Sequence, residues 1–322
     1  MTRKLRHMAV IAATVLLWTA CVTSPAAGGA SEKSAPAIRF GTLPVLQALP
    51  VFLAAEKGFF DEQGLNVTLV PFSSAMEKDV ALTAGEISGY FGDMMTVMML
   101  NANRVPVKII ATIFNADTVQ RLFAVVSAPG ASVQSLGELA TAGIAISSNT
   151  IIEYISTRIL ASEGIDRKST HFIEARKIPI RLQMLLSGQV PGATLPEPLV
   201  SLAVQKGGRV LADDTGKNLS AIILAFRTDM LTRHPDSIRK FMTAIAAAGD
   251  FINHDPEAAR PVMNTYCRIP RSLQKTFPVP RIPAVQLPGP HQVRDVAGWL
   301  QSKKLMETDM TYDRIIADGY LP

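Results

Sequence analysis

Four short polar residues in a row, Ser147, Ser148, Asn149 and Thr150, stand between an apolar run and an amphipathic segment. A turn of this kind at the start of a helix exposes backbone N–H groups with no partner inside the helix, and the helix dipole adds partial positive charge. Hydroxyl and amide side chains supply further donors, so the chemistry on offer is anion binding. The same residue types cap helices in any protein, and both roles are open here. Ser73 and Ser74 form a matching element earlier in the chain. Ser74 with Glu77 three residues on fits a capping box, which accounts for that pair and leaves Ser73 as a spare donor. Asp93 either caps the segment it opens or accepts a hydrogen bond from an amine. Glu197, held between Pro196 and Pro198, is a carboxylate that favours an amino or ring N–H group over a dianion. Leu46 and Gln47 lie in a loop where Gln47 can donate and accept. Met94, in the first turn after Asp93, is within reach of a molecule bound there.

Other chemistries lack their residues. The five histidines (His7, His171, His234, His254, His291) have no partner at metal-ligand spacing, so no metal site and no cofactor are expected. No GxSxG, HExxH or phosphate-binding glycine loop occurs. Cys21 and Cys267 are the only cysteines, too few for a disulfide framework. No basic stripe interleaved with aromatics marks a nucleic-acid partner.

The elements that must position these residues follow from the apolar pattern. Ile38 to Leu43 reads as a strand, Pro50 to Phe60 as a helix, and Val67 to Phe72 as a second strand. A helix from Ser74 to Gly85, a strand from Ile87 to Gly92 and a helix opened by Asp93 complete a βαβαβ series. The economical arrangement is a parallel sheet with right-handed crossovers. Ligands of such sheets sit beyond the carboxyl ends of the strands, here Leu43–Gln47, Ser73–Ser74 and Asp93–Met94. A further strand at Val107 to Phe114 follows, then an apolar run from Leu122 to Ser127. A second βα series starts at Gly143, with a strand at Ile144–Ile146 and helices at 151–162 and 178–186. A strand at Ala193–Leu195 runs into Pro196-Glu197-Pro198, and another lies at Val210–Leu211. Chain crossings between the two series are expected near Phe123–Val126 and Ile222–Phe226.

The run AAEKGFFDEQGLNVTLV, followed by SSAMEKDVALTAGEISGYFGD, resembles the first lobe of the ABC-importer substrate-binding proteins for aliphatic sulfonates, taurine, nitrate and thiamine precursors. The resemblance extends over nearly all of residues 38–322, through RTDMLTRHPDSIRKFMTAIAAAGDFINHDPEAA to the closing TYDRIIADGYLP. It implies the type 2 periplasmic-binding fold, with lobe 1 made of 38–124 plus 225–322 and lobe 2 of 125–224. Both lobes would close on a ligand by a hinge. The implied activity is capture of a small anionic or zwitterionic organic molecule for an ABC permease and ATPase complex, by a monomer and without a reaction. Binding of a thiamine-precursor pyrimidine and ligand sensing for a membrane receptor are the alternatives. Eukaryotic thiamine-pyrimidine synthases share the fold, but their cysteine-rich motif is absent from this chain.

The start of the chain reads as an export signal. Arg3, Lys4 and Arg6 precede an apolar run from Met8 to Leu17, too short to span a bilayer comfortably. Trp18-Thr19-Ala20-Cys21 resembles a lipoprotein box, which would make Cys21 the lipid-bearing residue and the only link to the membrane. Ordinary cleavage near Ala27–Ala30 is the alternative. Residues 22–37 then form an Ala/Gly/Ser tether. With 48% hydrophobic and 18% charged residues, the body has apolar material for a large core. The formal net charge of +5 falls to +2 once Arg3, Lys4 and Arg6 are removed, and 322 residues allow two domains.

Overall fold

The computed structural model describes residues 36–219 and 221–322. The expected export signal, Cys21 and the expected tether up to residue 35 lie outside them, while Ala37, expected in the tether, begins the first strand. Among the described residues ten strands make two mixed sheets. They are β1 (Ala37–Thr42), β2 (Asn66–Pro71), β3 (Gly89–Gly92), β4 (Val107–Phe114), β5 (Phe123–Ser127), β6 (Ile144–Ile146), β7 (Phe172–Glu174), β8 (Gly192–Pro196), β9 (Arg209–Asp213) and β10 (Ile222–Arg227). The first sheet has the order β2-β1-β3-β10-β4 and the second β7-β6-β8-β5-β9.

The βαβαβ reading holds for β1, β2 and β3, which pair in parallel. The sheet as a whole departs from the all-parallel expectation, because β10 runs antiparallel between β3 and β4. The second sheet repeats the pattern: β6 is parallel to β7 and β8, while β5 is antiparallel to β8 and β9. The antiparallel strand in each case is the one the chain enters on arriving from the other sheet. Both segments expected to be crossings are therefore strands. The chain passes between sheets at 115–122 and 214–221, and the expected lobe limits at 124/125 and 224/225 fall inside β5 and β10.

The helix expected from Pro50 to Phe60 is two helices, Leu49–Glu56 and Phe59–Glu62. Gly58 separates them in the left-handed region (φ 77°), which glycine adopts without the Cβ penalty. The helices at Ile151–Ser162 and Ile178–Leu186 match their sequence limits. The edge strand β7 had no apolar run to announce it.

The core of the first half is aromatic. Phe241, on the long Pro235–His254 helix, lies 5.0 Å from Phe40 and 4.8 Å from Phe60 between ring centroids, and Phe226 meets it edge-on at 5.2 Å. Buried aromatic groups of this size dominate core energetics. The Pro290–Ser302 helix packs on Met94–Ala102 and reaches the second half through Ile151–Ser162. Trp299 Nε1 donates to Thr157 Oγ1 at 3.0 Å, Tyr154 Oη donates to Asp295 Oδ2 at 2.5 Å, and Lys303 Nζ donates to Glu153 Oε1 at 2.5 Å.

Candidate functional site

The carboxyl ends of strands from both sheets face one cavity of about 260 Å³. Leu43, Val45 and Gln47 enter it from the loop after β1, and Ser74 to Lys78 from the turn after β2. Phe91, Gly92 and Asp93 close the end of β3. From the second sheet come Ser147, Ser148 and Thr150 after β6, Arg176 to Ile178 and Arg181 after β7, and Pro196 at the end of β8. Strand tips carry the site because helix N-termini and loop donors converge there.

Three of the helices that open on the cavity are capped by side chains, while the Ile178–Leu186 helix has no side-chain cap. Ser74 Oγ accepts from Glu77 N at 3.3 Å, whereas Glu77 Oε2 accepts at 3.0 Å from the N–H of Ser73, one residue before the cap. The expected capping box of Ser74 and Glu77 is thus made in half, and Ser73 completes it. Asp93 Oδ1 accepts from Thr96 N at 3.0 Å. Thr150 Oγ1 accepts from Ile152 N at 3.2 Å and donates to Ser147 O at 2.7 Å. The protein's own carboxylates occupy the backbone donors of the 147–150 turn. Ser148 N donates to Glu174 Oε2 at 3.1 Å and Asn149 N to Glu153 Oε2 at 2.8 Å. These two N–H groups are therefore not free for an outside anion.

Of the residues singled out by sequence, Gln47, Ser74, Asp93, Ser147, Ser148 and Thr150 line the cavity. Ser73 stands outside its lining, its N–H on Glu77. Met94 is buried in the helix that Asp93 opens, and Asn149 lines a neighbouring hollow with a left-handed backbone (φ 61°). Leu46 and Glu197 belong to a different hollow at the crossing between the sheets. Glu197 has both oxygens engaged, Oε1 by Arg121 Nε at 2.7 Å and Oε2 by Ser201 N at 3.1 Å, so it serves structure at that crossing.

Four basic residues in the lining escaped the sequence reading: Arg176 and Lys177, which are exposed, and two that are fully buried, Lys78 at 1% exposure and Arg181 at 0%. Lys78 Nζ sits 3.5 Å from the centroid of the Tyr90 ring and 3.0 Å from Asp79 Oδ1. Gly92 leaves room for this packing, since a Cβ there would stand 2.9 Å from the Tyr90 ring. Arg181 Nε donates to Thr194 O at 2.9 Å and Nη1 to Ala175 O at 2.7 Å, while Nη2 has no partner. The signal that could have found the two buried ones is a basic residue on the apolar stripe of a helix starting at a strand's carboxyl end. Lys78 shares its face with Ala81 and Leu82, and Arg181 with Leu185.

Burial sets the titration of the site. It pushes the Arg181 guanidinium down to about 10, with Glu174 nearby opposing the shift. Burial raises Asp93, against the opposing hydrogen bond from Thr96 N–H and the charge of Lys78. Asp79 is raised by burial as well, with Lys78 opposing. Among the described residues no group of three or more His, Cys, Asp or Glu could hold a metal ion, and no helix is long and apolar enough to cross a membrane.

A search of the curated proteins found no match. Solved structures share the fold. The alkanesulfonate-binding protein SsuA from Xanthomonas axonopodis pv. citri bound to MOPS superposes with a TM-score of 0.76 at 15% identity, covering 88% of this chain and 99% of that one. The periplasmic aliphatic sulphonate binding protein SsuA from Escherichia coli gives 0.73 at 14% identity, covering 87% and 92%. The periplasmic nitrate-binding protein NrtA from Synechocystis PCC 6803 gives 0.63 at 15% identity, covering 73% and 68%. The architecture is thus the two-lobed fold of periplasmic binding proteins, in agreement with the sequence expectation. A family profile described as NMT1/THI5 like matches residues 46–259, most of the body, and the chain belongs to the NMT1/THI5-like family.

Proposed function

We propose that this protein captures a small organic solute, anionic or zwitterionic, between its two sheets and delivers it unchanged to an ABC permease and ATPase complex. The observation that carries the reading is the cavity built from the strand tips of both sheets, with polar and charged groups set among apolar side chains in its wall. The match to structures described as alkanesulfonate- and nitrate-binding proteins supports it. Release requires the halves to part, and the two crossings at 115–122 and 214–221 are the segments about which they would turn.

Delivery to a permease requires export. Arg3, Lys4, Arg6 and the apolar run to Leu17 support it, with Cys21 as the proposed lipid-bearing residue. Incorporation of labelled palmitate in the wild type and its loss in Cys21→Ser would bear this out; labelling of both would sink it.

A thermal-shift screen of small metabolites tests the binding reading, because a ligand held only by the folded state raises the melting temperature. At 100 times Kd the stabilisation is about 2.7 kcal/mol, a shift of several degrees for a chain of this size. The reading expects the hit to be recovered unaltered after incubation; turnover of the hit would overturn it. One observation favours pyrimidine-type ligands as a second reading. The first-lobe loop has no aromatic residue, yet Phe91 and Phe123 line the cavity and offer faces for a flat ring. Pyrimidines in the same screen decide between the two.

A further inference from the structure

Two buried polar atoms without a hydrogen-bond partner belong to residues that line the cavity, one from each half: Arg181 Nη2 and Gln47 Oε1. An unpartnered buried polar atom is costly, and in a native protein it calls for an explanation. The rest of each side chain is fixed. Arg181 is held by the carbonyls of Thr194 and Ala175, and Gln47 Nε2 donates to Leu122 O at 3.4 Å. Turning the Gln47 amide over would set its oxygen against the Leu122 carbonyl, so the oxygen is the free end.

We propose that the ligand is an organic monoanion with an apolar body and one neutral hydrogen-bond donor: its acid group is bound by Arg181, and its hydroxyl or N–H by Gln47. This rests on the solute-binding reading and narrows it. Among the described residues a second negative charge has no buried free cation to meet. Arg176 and Lys177 also line the cavity, but both are exposed to water, where a charge contact is screened, and Arg176 is paired with Glu174. Lys78, the other buried basic group, already lies against Asp79 and the Tyr90 ring, with Asp93 close enough to feel its charge. A ligand ammonium in the first half would be desolvated beside the like charge of Lys78, which already acts on Asp93. The lining also holds Val45, Phe91, Phe123, Ile152 and Ile178, apolar surface that suits a ligand body of hydrocarbon or ring.

The test is a matched six-carbon series measured by calorimetry and thermal shift: 6-hydroxyhexanoate, hexanoate, 1-hexanol, 6-aminohexanoate and adipate. The wild type is expected to bind 6-hydroxyhexanoate best and hexanoate next. The neutral, zwitterionic and dianionic members should be weaker by roughly ten- to hundredfold, the effect of one charge-assisted hydrogen bond. Arg181→Gln is expected to lose that preference for the acids while still binding 1-hexanol, which a merely structural loss would weaken in step. Gln47→Leu should remove the advantage of 6-hydroxyhexanoate over hexanoate alone. If Arg181→Gln does not fold, the wild-type ranking and Gln47→Leu decide. Equal affinity across charges, or preference for the zwitterion or dianion, overturns the proposal and leaves the solute-binding reading standing. Absence of any hit, in the series and in a broad metabolite screen alike, overturns the binding reading itself.

Discussion

Arg181 shows how a single buried cation can serve both the fold and the site. Its guanidinium ties the end of β7 to β8 through the carbonyls of Ala175 and Thr194 and keeps one nitrogen in reserve. Burial lowers its affinity for a proton, to about 10, and this predicts a pH dependence. A bound anion prefers the charged guanidinium, so the bound form keeps its proton to higher pH than the free one. Affinity for hexanoate should therefore be level below pH 10 and fall by up to tenfold per unit above it. The 1-hexanol affinity should stay level. The other charged groups about the site are Glu174, Arg176 and Lys177 from the second half and Glu77, Lys78 and Asp93 from the first, and the neutral probe controls for them. Level hexanoate affinity from pH 7 to 11 would show that Arg181 keeps its proton over that range, and a fall shared by 1-hexanol would place the titrating group elsewhere. At this scale the sequence was only partly legible. The polar turn of Ser147 to Thr150 announced itself by residue type and does line the cavity apart from Asn149, but its free N–H groups are taken by Glu174 and Glu153. Neither acid is adjacent in sequence to the N–H it occupies. Lys78 and Arg181 stayed hidden because a charged residue in an amphipathic helix ordinarily faces water.

The helix is the scale at which the two halves are joined. Pro290–Ser302 rests on the Met94–Ala102 helix and meets the Ile151–Ser162 helix of the second half, whose first turn lines the cavity. Trp299 is the centre of that contact, with its N–H on Thr157 and its ring edge-on to Tyr154 at 5.7 Å. Trp299→Ala is expected to cost about 3 kcal/mol or more in urea-unfolding free energy, from lost burial plus the cavity left behind. A loss under about 1 kcal/mol would mean that the contact does not hold the halves together. Glu153 extends the contact to the site: it receives Lys303 on one oxygen and the Asn149 N–H on the other. Most elements could be read from the sequence, because a short apolar run closed by Gly or Pro has few other solutions. The exceptions have local causes. Gly58 breaks a helix that the apolar period alone would continue, and β7, half-buried at a sheet edge, carries no apolar run. The antiparallel β5 and β10 were out of reach too, since strand direction depends on which sheet the chain has just left.

Over the whole molecule the two sheets are built alike, each with parallel strands and one antiparallel strand received from across the crossing. That symmetry puts the carboxyl ends of both parallel sets onto one cavity. Small ligands bind where such ends converge because donors, dipoles and a desolvated wall coincide there. The measurement that tests this most directly is calorimetric titration of the strongest screening hit into the wild type and Ile151→Trp. Ile151 lines the cavity at the first position of its helix and is only half-buried, so a larger side chain can fill the space without breaking the core. The account predicts at least tenfold weaker binding by Ile151→Trp at an unchanged melting temperature of the ligand-free protein. Unchanged affinity with the cavity filled would place the ligand elsewhere and contradict the account.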